Sequence, residues 1–431
     1  MRRKFVLALT LGATLLATLV AASIGTASKR APASAGVSGS VTILADWTGA
    51  EGKSFQAVLD GFKKKNPSVT VKYKPSTDIA SALSTAVQGG HPPDLAAIPN
   101  PGLMKDFANR GAVKPIPFAK GTVTQNFSKD WVRYGTVNGK LYGVFFKGAN
   151  KSTVWYNVHA FKNAGVKPPA SWKGVISAGK TLRASGTKAY SIGGADGWTL
   201  TDLFENLYIR NAGVARYDQL TEHKIPWTHP TVKSTLRLMA QVLSDKANIA
   251  GNPLQTDFPT SVTNVFQPSN PKAAMTFEGD FVPGVAAGQT KAKAGTDYNV
   301  FPFPAVAGRG RNYVVGGGNV VVMFKDSPAA RALIMYLASP QAGTIWARRG
   351  GFSSPNKRVS ASVYPDAITR TTASALAKAA TFRFDMSDLA PSAFGSKDEF
   401  ADLQAFLKNP SNVNGIAAKL ETHAKAGYKS R

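Results

Sequence analysis

Five carboxylates, Asp196, Asp202, Glu205, Glu278 and Asp280, and four rings, Trp47, Tyr156, Trp198 and Phe281, fall in or beside turns where they could do chemistry. Two carboxylates flanking a glycosidic bond can supply the acid and base of glycoside hydrolysis. A ring next to carboxylates and amides can instead hold a sugar, whose C–H face packs on the ring while its hydroxyls take hydrogen bonds at the edge. Trp47 follows the first apolar strand in a turn with Thr48, Gly49 and Glu51, and Tyr156 follows the apolar residues Thr153 to Trp155. Trp198 lies in the loop from Gly193 to Thr199 (GGADGWT), and Phe281 comes directly after Glu278, Gly279 and Asp280. A single ring of this kind is more often core than site. Four of them, each just beyond a predicted strand, favour a site. Asp202 and Glu205 are three apart and share one helix face, as any solvated pair does.

Other chemistries fail on residue type or context. The absence of cysteine removes disulfide scaffolds, zinc-thiolate sites and cysteine nucleophiles. The histidines, at 91, 159, 223, 229 and 423, include no pair four apart around a glutamate, and no Gly-x-Ser-x-Gly elbow occurs. Gly174 to Thr181 (GVISAGKT) fits the phosphate-loop spacing, but that loop must follow a strand. Here it follows KPPASW, so Ser171 is expected to cap a helix that contains Val175, Ile176 and Leu182. No cofactor or metal site is expected.

The elements that must position these groups alternate between strand and helix. Val41 to Ala45 reads as a buried strand, Phe55, Val58, Leu59 and Phe62 as one helix stripe, Val69 to Tyr73 as a strand, Ile79 to Val87 as a helix, and Asp94 to Ile98 as a strand. This order predicts an α/β lobe with largely parallel pairing and a ligand beyond the strand ends. Further on, Thr231 to Lys246 reads as a helix, Ala273 to Phe277, Tyr298 to Phe301 and Asn319 to Phe324 as strands, and Ser327 to Ala338 as a helix with Pro328 at its first position. Two α/β lobes with chain crossovers are expected.

The chain carries 52 Lys+Arg against 25 Asp+Glu, for a formal charge of +27. Only 18% of residues are charged, below the roughly 25% of an average protein, so the surplus reflects missing acids more than added bases. The longest basic run is Lys63 to Lys65, and no zinc-finger, basic-zipper or base-stacking motif accompanies it, which argues against nucleic acid. The surplus suits an anionic membrane or cell-wall surface. Arg2, Arg3 and Lys4, then an uncharged apolar stretch from Phe5 to Ile24, then Gly25 to Ala27, have the order of an export signal. Residues 1–27 are read as a signal peptide or an uncleaved signal anchor, and 28–40 as a flexible linker. An extracytoplasmic location is expected.

With these residues in place, the chain resembles the extracellular solute-binding proteins of family 1, the maltose-binding-protein-like subunits of ABC sugar importers, and especially their α-glucoside or oligosaccharide branch. The resemblance rests on the order and spacing of NGKLYGV (138–144), WYN (155–157), FKNAGVKPPASW (161–172), GGHPPD (89–94), PNPG (99–102), ASPQA (338–342), GGFSSPNK (350–357) and FRFDMSDL (382–389). It implies a type II periplasmic-binding-protein fold in which each lobe is a mostly parallel sheet flanked by helices and hinge strands join the lobes. The first lobe takes 41–147 and 316–340, and the second takes 148–315 and 341–431. It also implies a ligand-binding role for Tyr156 and for Phe281, in a Gly279-Asp280-Phe281 segment where the family carries a stacking tryptophan, and makes Asp196, Trp198, Asp202 and Glu205 part of the cleft wall; Glu278 and Asp280 join the ligand-binding candidates as carboxylates beside Phe281. Trp47 and Glu51 are expected to contribute from the first lobe, and Gly317 from a hinge crossing at Gly316 to Gly318; Lys147 to Thr153 resembles the other crossing. The implied partners are a sugar ligand and the permease subunits of an ABC importer. The implied form is a monomer without catalytic activity. The alternatives are a secreted glycoside hydrolase using paired carboxylates, and the same fold with an anionic or polyamine-like solute. One departure is plain: no lipobox cysteine is present to carry a lipid anchor.

Overall fold

In the computed structural model, which describes residues 36–429, Val41, Ile43 and Ala45 point into the first core from β1 (Gly39–Ala45). The helix Gly49–Lys65 then buries Phe55, Val58, Leu59 and Phe62 along one stripe, and ends at Asn66. β2 (Val69–Pro75) and β3 (Leu95–Ile98) lie on either side of β1, both parallel to it. β4 (Thr136–Val137) and β5 (Lys140–Leu141) form a small hairpin. It leads into β6 (Gly143–Asn150), which is buried along its whole length.

From β6 the chain passes through Lys151 and Ser152 into β7 (Thr153–Asn157), the middle strand of a second sheet, with β8 (Met275–Phe277) on one side and β9 (Tyr298–Pro302) on the other. β10 (Tyr313–Met323) returns to the first sheet, lying antiparallel to both β3 and β6 and parallel to β11 (Thr381–Phe384). The α/β, two-lobed class expected from sequence is therefore present, with one difference of strand direction. The second sheet is antiparallel throughout its ladders, β7 against β8 and β7 against β9. Parallel pairing around it occurs as single bridges, among them Tyr190 to Ile249 and to Met275 and Ala294 to Tyr298, each too short to make a strand.

β10 begins six residues before the strand read from Asn319. Gly316, Gly317 and Gly318, expected as a hinge crossing ahead of the strand, are part of the strand itself and are paired with Asn150, Ala149 and Gly148 of β6. Glycine is poor in strands, but here the neighbouring strand is too close for a side chain. A Cβ at Gly318 would stand 2.6 Å from the Lys147 carbonyl oxygen, and one at Gly316 would stand 2.7 Å from that of Ala149. Two crossings thus run side by side as a paired ribbon. A register shift falls between Asn319 and Val320.

The cores correct the expected division of the chain. Trp346, Phe352, Tyr364, Leu376 and Phe384 all pack in the first core, and Met386 is the first later residue in the second. Most of 341–384 therefore packs with the first lobe, although Ile368 joins the third cluster, and a third crossing lies at Asp385. The reason is local. Trp346, on the helix Pro340–Ala347, sets its ring 4.9 Å from that of Trp47 and 5.2 Å from that of Phe352, and this holds the helix on the first lobe. The second core gathers Phe204, Tyr208, Trp227 and Phe406, and closes with the helix Val413–Lys429. A smaller third cluster contains Trp155, Val282 and Tyr298. The residues assigned to an export signal, 1–27, and most of the linker lie outside the described residues.

Candidate functional site

The GKT segment is a helix, Trp172–Ala184, with the Ser171 hydroxyl accepting a hydrogen bond from the Gly174 amide at 3.1 Å. A capped helix interior offers no phosphate cradle. The chemistry gathers instead where the three crossings meet.

Lys151, at the first crossing, is the centre of that region. Its ammonium lies 2.5 Å from Asp385 at the third crossing, 3.0 Å from Asp202 on the helix Trp198–Ala212 and 3.6 Å from Asp388. Gly317, at the second crossing, leaves room for it, since a Cβ there would stand 3.0 Å from Lys151 Cε and 3.6 Å from Asp388 Oδ2. Burial disfavours the charge on Lys151, but the carboxylates of Asp202, Asp385 and Asp388 outweigh it and hold the ammonium pKa well above its usual range. One cation cannot neutralise three anions. Asp385 is held low, against its burial, by Lys151 and by hydrogen bonds, while burial and the charge of Asp385 push Asp388 up to about 8. Burial also raises Asp202, despite Lys151.

Asp202 keeps one oxygen, Oδ2, without a partner, and so does Glu278 at Oε2. Both residues are almost wholly buried, and Asp202, Lys151 and Asp196 are the charges that act on Glu278. A buried carboxylate oxygen left without a donor is costly, so this pair of acceptors fits a ligand that brings hydroxyl donors. Trp198, Phe258 and Phe281, all partly exposed, form a ring cluster with centroids 4.9 Å, 5.5 Å and 6.0 Å apart, linked to Asp202 through Lys151. The Lys151 ammonium lies 5.8 Å from the Trp198 ring, and the Lys147 ammonium 5.8 Å from the Phe281 ring. Lys147 is buried, ion-paired with Glu51 at the start of the first lobe's long helix, and 5.3 Å from the Trp346 ring. Glu51 and Phe281 thus meet through Lys147, one from each lobe.

Several residues singled out from the sequence have other work. Trp47 is 2% exposed and packs on Phe55, Phe146 and Trp346 in the first core; a ring in the turn after a strand is drawn inward when the next helix presents an aromatic face. Tyr156 lies on the opposite face of β7 from Trp155. It packs on Phe161 at 4.5 Å and Phe301 at 5.7 Å, whereas Trp155 points the other way and donates from Nε1 to the Gly279 carbonyl at 3.0 Å. Successive strand residues face opposite sides, so half-buried Tyr156 and fully buried Trp155 present their rings to different faces of the sheet. Glu205 has both oxygens occupied, by Tyr217 and by the Met386 and Ser387 amides. Asp280 braces the first crossing, accepting from the Asn150 amide at 3.0 Å and from the Ser353 hydroxyl. Asp196 is exposed and accepts from the Phe258 amide at 2.5 Å. Lys147, Lys151, Phe258, Asp385 and Asp388 were not singled out. Two lysines inside an otherwise uncharged run from Gly143 to Asn157 are the sequence feature that could mark Lys147 and Lys151.

Burial pushes the Asp280 carboxyl up to about 6, against its hydrogen bonds from Ser353 and Asn150. A raised carboxyl pKa means that the folded chain binds the proton more tightly than the unfolded chain. Its contribution to stability is therefore full below about pH 4 and lost as pH rises through about 6. Asp280→Asn keeps an oxygen for the Asn150 amide and a donor for Ser353. It is expected to raise Tm by about 3 °C at pH 8 and to leave it unchanged at pH 4 in calorimetry.

Residues 46–344 match the family model of the bacterial extracellular solute-binding protein. The chain belongs to the bacterial extracellular solute-binding protein family. Among curated relatives of this solute-binding protein is the osmoprotective compounds-binding protein GgtB of Synechocystis sp., 31% identical over 83% of this chain and 86% of the relative. Another is the alpha-glucosides-binding periplasmic protein AglE of Rhizobium meliloti, 30% identical over 88% of this chain and 85% of the relative. Solved structures with the same fold include the solute receptor AcbH, described as having an exclusive preference for β-D-galactopyranose, with a TM-score of 0.81 and 20% identity over 91% of this chain and all of AcbH. A chitin oligosaccharide binding protein superposes with a TM-score of 0.78 at 21% identity, covering 91% of this chain and 99% of the other. These relatives are named as binding proteins. Among the described residues of this solute-binding protein no helix is long and apolar enough to cross a membrane.

Proposed function

We propose that the protein is the carbohydrate-capturing subunit of an ABC importer, taking an oligosaccharide such as an α-glucoside between its lobes and delivering it to a membrane permease. One observation carries this reading. The partly exposed ring cluster of Trp198, Phe258 and Phe281 adjoins two buried carboxylates that each lack a donor, Asp202 and Glu278. Rings offer a face to sugar C–H groups, and the orphan oxygens accept sugar hydroxyls. The relatives' names support the same class of solute, GgtB for osmoprotective compounds and AglE for α-glucosides. Closure is favoured by the contacts that the ligand makes only when both lobes touch it. In the absence of a lipobox cysteine, the apolar stretch from Phe5 to Ile24 is the segment available to retain the chain at the membrane.

Maltotriose titrated into the protein is expected to change tryptophan fluorescence, because Trp198 lies at the site. It is also expected to stabilise the fold by about 2.7 kcal/mol at a hundredfold excess over Kd. No response to maltotriose or to a panel of neutral oligosaccharides in either measurement would overturn the reading. Release of shorter sugars from the same samples would restore the hydrolase alternative.

A further inference from the structure

Two residues past Phe281 in the chain, a cavity of about 560 Å³ opens between the start of helix Gly49–Lys65 on the first lobe and Pro283, Gly284 and Ala287 on the second. Its charged lining is Lys53, Arg348, Arg349, Glu51 and Asp366. The formal balance is nearly even, but the available balance is not. Glu51 is held by Lys147. Asp366 caps the helix Ala367–Ala377, accepting from the Thr369 amide at 2.8 Å and from its hydroxyl at 2.9 Å. Among the described residues, neither the Lys53 ammonium nor the Arg348 guanidinium has a hydrogen bond or an ion pair, and Arg349 uses only Nε, on Ser54 Oγ at 3.1 Å. Two adjacent arginines and one lysine therefore line the cavity, and among the described residues no anion of the protein is paired with them. The first turn of helix Gly49–Lys65, which lines the same wall, adds the positive end of its dipole.

We infer that the solute is an acidic saccharide, whose neutral sugar units lie against Trp198, Phe258 and Phe281 while a carboxylate at one end is held by Arg348 and Arg349 in the interlobe cavity. This rests on the carbohydrate reading and narrows it. Guanidinium forks match a carboxylate with two parallel N–H donors, which a neutral hydroxyl cannot use as well. The two ends of the site are then chemically distinct: unpartnered carboxylate oxygens beside the rings accept hydroxyls, and unpartnered cations at the cavity accept an anion. Because the second wall of the cavity belongs to the other lobe, a carboxylate bound there also contributes to closure.

The test compares maltotriose with the same trisaccharide oxidised to a carboxylate at its reducing end or at its non-reducing C6, by calorimetry at low and high salt. One of the two acids is expected to bind about tenfold more tightly than maltotriose at low salt, with the preference shrinking as salt screens the exposed arginines. In the double variant Arg348→Gln, Arg349→Gln the ratio is expected to fall to near one, with its Tm checked against the parent. If maltotriose binds and both acids bind equally well or worse, this inference is wrong and the carbohydrate reading stands. If the preference survives in the double variant, the carboxylate is held elsewhere and the assignment to these arginines is wrong. If no saccharide binds, neutral or acidic, the carbohydrate reading itself fails and this inference with it.

Discussion

Replacing Lys151 with methionine is expected to cost about 3–5 kcal/mol of folding stability at pH 8, measured by denaturant unfolding. The lysine side chain is only 11% exposed, and Asp202 and Asp385 are 2% and 0% exposed. Without the ammonium these carboxylates would remain buried with no countercharge, which costs far more than the net gain of an exposed ion pair. The loss should shrink toward pH 5, because Asp202 and Asp388, already raised, then take up protons more readily. Adding Asp385→Asn should restore part of the stability at pH 8, since Asp385 is the group that the ammonium keeps ionised. An equal loss at both pH values, with no rescue, would mean that the loss does not come from the charge of Lys151.

The second large effect concerns closure. Gly351 follows the first lobe's Trp346 helix, and a Cβ placed on it would stand 2.6 Å from Gly284 Cα on the other lobe. Both atoms are backbone or attached directly to it, so neither can move aside without separating the lobes. Gly351→Ala is expected to weaken oligosaccharide binding at least tenfold and to abolish the ligand-induced compaction seen in solution scattering. The backbone of Gly351 is also left-handed, with φ of +61°, so alanine brings local strain of about 1 kcal/mol in either state. Gly350→Ala supplies the control: its φ is +82°, and its Cβ would meet nothing closer than Pro365 Cγ at 3.6 Å. If both variants weaken binding equally, strain is the cause, and the lobe contact is not.

Periodicity was a sound guide where one face is buried and the other is wet. The stripe of Phe55, Val58, Leu59 and Phe62, and the alternation of Val41, Ile43 and Ala45, appear in the structure as the sequence suggests. It fails where both faces are buried. β7 is apolar on each side, so its pattern does not separate Tyr156, which packs toward the second core, from Trp155, which faces the other way. Trp47 shows a related limit, because a tryptophan after a strand is equally suited to cap a core, and only the distant Trp346 decides between the two. The cluster around Lys151 depends on residues 51, 234 and 237 positions away, Asp202, Asp385 and Asp388. No local pattern encodes pairing at such separations. The loops carrying Trp198 and Phe281 were legible because glycine and acidic neighbours flank a ring there, which is unusual for core.

The third crossing, at Asp385, has a practical consequence for watching single molecules. Because the chain changes lobe there for the last time, β1 lies on the first lobe and the helix Val413–Lys429 on the second. A donor dye attached just ahead of β1 and an acceptor on the exposed side of that last helix would be carried by different rigid parts. Their energy transfer would then report each opening and shutting event in real time, with both labels far along the chain from the rings that meet the solute.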